Sequence, residues 1–369
     1  LTGIQAAPIV QCFLKLLFVS REMIDMIPAV EREVLSEAAG RDTSSAAAAQ
    51  HLDAITRLLS DSLPLLERAV MEAASGPAPL DEASAYLLEA GGKRVRPTAC
   101  LLMAAACGGD PRKAIPVAAA AELIHSATLL HDDVIDEGEE RRNRPASRVL
   151  WGNLVSVLSG DLLLIRALSL VESAGVPGAM HDLLSTLERL IGGEVAQLHA
   201  RERDDLGRAG YMNIVSGKTA SLFGFACRSG VRVARQDHLV EAAGSFGEQV
   251  GIAFQVIDDV LDLAGDPREV GKRLGADLAE GKTTLPLALA LEHDTSGELA
   301  SLLPRARRGD LEAARAVSTH ALVLAGCEEA RAFAAEQSKG ALAALDRLPN
   351  SRARELLRSL AIVLTRRKT

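Results

Sequence analysis

The chain has 369 residues, 48% hydrophobic but only 3% aromatic, with a formal net charge of −8. That length suits one large domain or two ordinary ones, and the acidic balance excludes the electrostatic footprint of a nucleic-acid binder. The apolar content is mostly Ala, Leu and Val; Ala and Leu are strong helix formers, so the composition predicts an all-α protein of closely packed helices. In chain order, residues 1–50 read as an N-terminal extension set apart by Arg41-Asp42-Thr43-Ser44-Ser45 and a run of Ala. Its apolar stretch from Pro8 to Val19 is too short to span a bilayer and lacks the flanks of a signal peptide, so no transmembrane segment is expected. The first residue is Leu1, and Met23 or Met26 is the expected start.

From His51 onward the helical pattern is nearly continuous, so 51–369 are read as one domain. Turn signals fall at Gly76-Pro77-Ala78-Pro79, Gly108-Gly109-Asp110-Pro111, Gly175-Val176-Pro177-Gly178 and Gly265-Asp266-Pro267. No segment shows clear period-two alternation, so no sheet is expected, and no repeat period is visible. The five cysteines (Cys12, Cys100, Cys107, Cys227 and Cys327) are odd in number and show no CxxC spacing. They argue against a disulfide framework or a zinc site and for a reducing, cytoplasmic setting.

Two acidic clusters stand out: His131-Asp132-Asp133-Val134-Ile135-Asp136 and Gln255-Val256-Ile257-Asp258-Asp259-Val260-Leu261-Asp262. In each, a carboxylate recurs at i and i+4, which puts two acids on one helix face a turn apart. An acidic run on a helix is most often a solvated face. Here both clusters sit in strongly apolar sequence, where acids need a partner or a metal. Two such faces opposed across a bundle would hold several Mg²⁺ ions, which take carboxylate oxygens and leave positions for water or phosphate. In the second helix Phe246, Val250, Phe254, Ile257 and Leu261 form the expected core stripe, with Gln255, Asp258, Asp259 and Asp262 on another arc. In the first, Ala121, His125, Thr128 and Asp132 line up at helical spacing.

Cations frame the acids. Gly91-Gly92-Lys93-Arg94-Val95-Arg96-Pro97 precedes the first cluster and Arg141-Arg142 follows it. Lys272 and Gly281-Lys282-Thr283-Thr284-Leu285-Pro286 follow the second. Arginine forks and lysine point charges are the usual phosphate binders, so acids for metal beside bases for phosphate imply diphosphate ligands. Asp204-Asp205 lies in a charged stretch and reads as a solvated loop.

With these motifs assembled, residues from about His51 to Arg367 resemble a trans-isoprenyl diphosphate synthase (polyprenyl synthetase). GGKRVRP, HDDVID with its arginine pair, KTA at Lys218-Thr219-Ala220, FQVIDDVLD and GKTTLP occur in that family's order and near its spacings. The resemblance implies an all-α bundle around a deep central cavity, commonly a homodimer, that joins isopentenyl diphosphate head-to-tail to an allylic diphosphate. It implies Mg²⁺ on Asp132, Asp136 and Asp258, with Asp133, Asp259 and Asp262 as direct or supporting ligands. Arg141, Lys218, Lys272 and Lys282 would hold the allylic diphosphate; Lys93, Arg96, His125 and Arg142 that of isopentenyl diphosphate. Thr219 and Gln255 would line the reacting end. The allylic C1–O bond would ionise, the isopentenyl double bond would attack C1, and the departed diphosphate would take the proton. Two departures from the family pattern are Asn143, where Gly usually follows the arginine pair, and a spacing to Lys282 about one residue long.

In this family, bulky residues four and five positions before the first Asp set product length. Thr128 and Ala127 stand there, with Ile124 and Ala121 the next candidates for a floor. The expectation is a product of more than four isoprene units; a short-chain synthase is the alternative. A long product is membrane-soluble, so peripheral membrane contact is compatible with this reading. A terpene cyclase is disfavoured by the plain DDxxD of the second cluster and by the Lys93/Arg96 site. A non-catalytic subunit is disfavoured because all six Asp are present.

Overall fold

The computed structural model describes residues 53–142, 144–203, 207–264 and 275–365. The extension over 1–50, Asn143, Asp204-Asp205, the turn signal at Gly265-Asp266-Pro267 and Lys272 lie outside the described residues.

The helices are α1 (Ser62–Ala73), α2 (Leu80–Glu89), α3 (Val95–Ala106), α4 (Ile115–Ile135), α5 (Ser147–Ser173), α6 (Ala179–Arg203), α7 (Arg208–Val215) and α8 (Ser221–Val233). They continue as α9 (Val240–Ala264), α10 (Ala276–Ala279), α11 (Leu285–Glu292), α12 (Glu298–Arg307), α13 (Leu311–Thr319), α14 (Ala321–Leu345) and α15 (Arg352–Thr365). The first three turn signals all fall between helices, as Gly and Pro dictate. One feature departs from the expectation of no sheet. Between α4 and α5, β1 (Glu140–Arg141) pairs antiparallel with β2 (Arg144–Pro145), Arg141 opposite Arg144. Two residues per strand are too few to leave an alternating pattern in sequence.

Chain contacts divide the molecule into two compact units. Unit 1 comprises the described residues up to Met180, Ala226–Val240 and Leu348–Leu360; unit 2 comprises His181–Phe225, Glu241–Arg347 and the described residues from Ala361 on. In unit 1, α4 packs against α1, α3 and α5, and α2 packs on α5. Val117 to Ile124 are all buried; apart from Glu122 they are small or apolar, which lets α1, α3 and α5 pack close. His131 lies against Gly160 of α5, where any Cβ would collide with the imidazole, and its Nε2 is 3.1 Å from the Val157 carbonyl oxygen. In unit 2, α11 packs along α14, and Gly326 brings α14 against the Pro286 carbonyl. Phe246, Val250, Ile257 and Leu261 are buried as the stripe on α9 predicts, whereas Phe254 is only half-buried and tilts against Phe223 at 5.8 Å.

Pro111–Ile135 and Ser147–Ser173 are long and apolar enough, by length and composition alone, to cross a membrane. The apolar window of the first is 67% buried within the protein; that of the second is 33% buried. The outward side of α5 carries Leu150, Leu154, Leu158 and Ile165, with Leu154 72% exposed.

Candidate active site

The first acidic cluster is built by the end of a helix. Asp132 and Asp133 lie in the last turn of α4 and Asp136 is its C-cap. The helix closes with Glu137 at φ 52°, the Gly138 N–H donating to the Asp133 carbonyl at 2.9 Å and the Glu137 N–H to that of Val134 at 3.4 Å. The negative end of the helix dipole therefore adds to three carboxylates at one spot. These carboxylates differ in their surroundings. Asp132 and Asp136 are half-buried, while Asp133 is buried and held by Arg141, whose Nε and Nη2 donate to Oδ1 at 2.8 and 2.5 Å. Burial pushes the Asp133 carboxyl up from the ordinary range, and Arg141 opposes that. Its Oδ2 is buried without a hydrogen-bond partner.

The cations read as the isopentenyl diphosphate site gather in unit 1. Arg96 and Arg142 both act on His125, whose imidazole is pushed well below its usual pKa by burial and then by these guanidinium charges. Arg142, at φ 54°, lies against the glycine loop: a Cβ on Gly92 would be 3.1 Å from its Nη2. Lys93 is exposed at the mouth of that loop. Arg94 faces the other way. Buried and left-handed at φ 44°, it donates to Glu67 at 3.0 Å and Glu122 at 2.5 Å. Breaking such a buried pair costs about 3–5 kcal/mol. Glu122 lies one turn from His125, so this network ties the glycine loop to α4. The hairpin bearing Arg141 is tied down as well. The Tyr86 hydroxyl donates to the Pro145 carbonyl at 3.0 Å, and Trp151 packs edge-on to Tyr86 at 5.2 Å.

Unit 2 holds a half-open pocket of about 120 Å³. Lys218, Thr219, Gln255 and Lys282 all line it, together with Arg201, Tyr211, Asp259 and Asp277. Lys218 and Thr219 come from a π-helical turn, Ser216–Ala220. A chain of hydrogen bonds crosses the pocket wall. Thr219 Oγ1 donates to Gln255 Oε1 at 3.0 Å, Gln255 Nε2 to Asp259 Oδ1 at 2.8 Å, and the Tyr211 hydroxyl to Asp259 Oδ2 at 2.6 Å. Burial, reinforced by the Asp277 charge, raises the Asp259 carboxyl; burial likewise holds the Tyr211 phenol well above its usual value. Asp258 and Asp262 stay half-buried, and Asp262 Oδ2 accepts from the Asp277 N–H at 3.1 Å. Lys218 pairs with Glu194 at 2.5 Å; Lys282 pairs with Asp277 at 3.6 Å and with Glu280.

Among the described residues, no three His, Cys, Asp or Glu side chains converge into a ready-made metal cage. The half-buried Asp132, Asp136, Asp258 and Asp262 fit a hard divalent cation held by one or two carboxylates together with substrate oxygens, as Mg²⁺ prefers. Of the chain-length candidates, Ala121, Ile124 and Ala127 are buried; Thr128 is half-buried and its hydroxyl donates to the His125 carbonyl at 2.8 Å. Sequence reasoning missed Tyr211, Glu194, Asp277 and Glu122, and it grouped Arg94 with the phosphate-binding cations although Arg94 is buried in ion pairs with Glu67 and Glu122. Tyr211 is one of only two tyrosines, and the spacing of Glu122 and His125 on α4 was a usable signal.

An all-α fold with two aspartate-rich helix segments, each accompanied by its own lysines and arginines, defines the class of isoprenoid diphosphate synthases. The polyprenyl synthetase family profile matches residues 77–320, and the chain belongs to that family. It is 39% identical over 282 residues to an all-trans-nonaprenyl-diphosphate synthase (geranyl-diphosphate specific) of Rhodobacter capsulatus, covering 75% of this chain and 86% of that one. It is 35% identical over 284 residues to a short chain isoprenyl diphosphate synthase of Methanothermobacter thermautotrophicus, covering 76% and 87%. Among solved structures, the polyprenyl synthase of Caulobacter crescentus CB15 complexed with calcium and isoprenyl diphosphate matches with a TM-score of 0.80 at 33% identity, over 86% of this chain and 98% of that one. The protein is thus a prenyltransferase of isoprenoid diphosphates, in a family that depends on divalent metal.

Proposed function

We propose that this chain condenses isopentenyl diphosphate with an allylic diphosphate, head-to-tail and in trans, to a product of more than four isoprene units, with Mg²⁺ as its metal. The observation that carries this reading is the unit 2 pocket, where two lysines, an arginine and the Thr219–Gln255–Asp259–Tyr211 chain meet. Lys218, Lys282 and, by resemblance, Lys272 and Arg141 hold the allylic diphosphate; Lys93, Arg96, His125 and Arg142 hold that of isopentenyl diphosphate. By resemblance, Asp132, Asp136 and Asp258 would hold Mg²⁺, with Asp133, Asp259 and Asp262 as direct or supporting ligands; the partial exposure of Asp262 favours a direct role. When bound, the metal offsets negative charge building on the leaving diphosphate. The cations add fixed positive charge at the same oxygens, which favours ionisation of the C1–O bond. Neutral His125 donates to a diphosphate oxygen without bringing another cation among four arginines. Thr219 and Gln255, locked by hydrogen bonds, present fixed dipoles beside the allylic carbon. Ile214 and Val215 supply apolar lining beside Thr219, which helps keep water from the cation that water would convert to an alcohol.

The absence of a bulky side chain at Ala127 and Thr128 supports the longer product. Homodimerisation, implied by the family resemblance, is supported by the exposed apolar side of α5 and by Leu184, Ile191, Val195 and Leu198 on α6, where Ile191 is 62% exposed. Free, buried cysteines at 100, 107, 227 and 327 support a reducing setting. The test is to incubate purified protein with Mg²⁺, isopentenyl diphosphate and farnesyl diphosphate and to size the dephosphorylated products by mass spectrometry. A ladder ending above four units is expected, abolished in Asp132→Ala and in Asp258→Ala while melting stays near wild type. A ladder ending at four units or fewer overturns the product length; wild-type rates in either variant overturn the metal assignment.

A further inference from the structure

The turn Ser216–Ala220 is π-helical. It carries an extra residue relative to an α-helical turn, so the side chains after it are rotated from where a regular helix would aim them. Such a turn persists only where neighbours over-determine it. Here α6 supplies the grip. Arg189 Nη2 donates to the Ser216 carbonyl at 3.2 Å, while its Nη1 and Nη2 bond the two carboxylate oxygens of Glu248 at 2.7 and 3.2 Å. The backbones cross closely: a Cβ on Gly193 would lie 2.7 Å from the Lys218 nitrogen, and one on Gly217 2.5 Å from the Arg189 carbonyl.

We propose that Arg189, clamped by Glu248, is a positioning residue that holds this π turn in register so that Lys218 and Thr219 face the pocket. The inference rests on the reading that Lys218 holds the allylic diphosphate. A planar guanidinium can bond a carboxylate and a peptide oxygen at once from one fixed plane, which an apolar side chain of similar length cannot. Arg189 itself does not line the pocket, so its effect passes through Lys218.

The test compares Arg189→Met, Lys218→Ala and the double variant, assayed with farnesyl diphosphate and isopentenyl diphosphate in Mg²⁺ and followed by thermal melting. Arg189→Met is expected to lower kcat/KM for the allylic substrate roughly tenfold through misplacement of Lys218. KM for isopentenyl diphosphate and the melting temperature should stay unchanged. The double variant should be no worse than Lys218→Ala, because the two residues act as one unit. Equal losses for both substrates with a lowered melting point, or losses that multiply in the double variant, would assign Arg189 a purely structural role and overturn the proposal. No loss in Arg189→Met, with a clear loss in Lys218→Ala, sinks the clamp alone. No loss in Lys218→Ala sinks the substrate role of Lys218 and the clamp with it.

Discussion

Asp133 and Asp259 hold the same place in their two motifs, and they share a physical situation. Each is buried, 1% and 3% exposed, and each is pinned by a donor from outside its own motif, Arg141 in one case and Tyr211 in the other. Their neighbours Asp132, Asp136, Asp258 and Asp262 keep solvent access. The middle carboxylate of each trio therefore anchors its motif, which supports the proposal that the outer pair meets the cation. His125 offers a check at this scale. Its folded pKa lies below the usual value of about 6.5, so the folded protein binds fewer protons than the unfolded chain in mildly acidic solution. The associated stability is present above about pH 6.5 and is lost as pH falls below it. Melting temperature measured from about pH 7 to about pH 5 is expected to fall, and His125→Asn should flatten part of that fall. An unchanged slope in the variant would remove His125 from this role.

At the scale of elements, α4 grades from closed to open along one line. His125, Thr128 and Asp132 keep partial exposure, while Ala121, a turn deeper on the same line, is sealed, as are Ile124 and Ala127 beside it. Ala127→Phe must displace packed neighbours, at about 1–3 kcal/mol, and is expected to shorten the product ladder seen by mass spectrometry; an unchanged ladder would sink Ala127 as a floor. Most of this helix was legible in advance, because the 3.6-residue period placed Ala121, His125, Thr128 and Asp132 on one line and the Gly-Pro cluster at 108–111 marked its start. The hairpin before α5 was not legible, since two-residue strands leave no alternation. The π turn escaped for the same kind of reason: a count at 3.6 residues reads straight through one extra residue. The grouping of Lys218, Thr219 and Gln255 was legible from motifs, but their hydrogen-bonded link to Tyr211 depends on a contact 48 residues apart in sequence. The different fates of the three Asp in each motif were hidden because burial, not residue type, separates them.

At the scale of the molecule, the outward leucines of α5 bear on assembly. Patches of this kind on a soluble chain mark contact surfaces. Leu154→Glu in a homodimer that uses this face is expected to shift sedimentation from dimer to monomer without loss of helical signal; a dimer that persists would place the interface elsewhere. Near the start of the same helix sits Trp151, the only tryptophan in the chain. It packs on Tyr86, and Tyr86 in turn grips the hairpin that carries Arg141. The protein's indole fluorescence thus comes from one location, in ring contact with the tyrosine that holds this hairpin. A shift of that hairpin that moves Tyr86 is expected to change this emission, so the enzyme carries its own optical gauge of the hairpin, readable without a label; an emission unchanged by added diphosphate would show that the hairpin stays put.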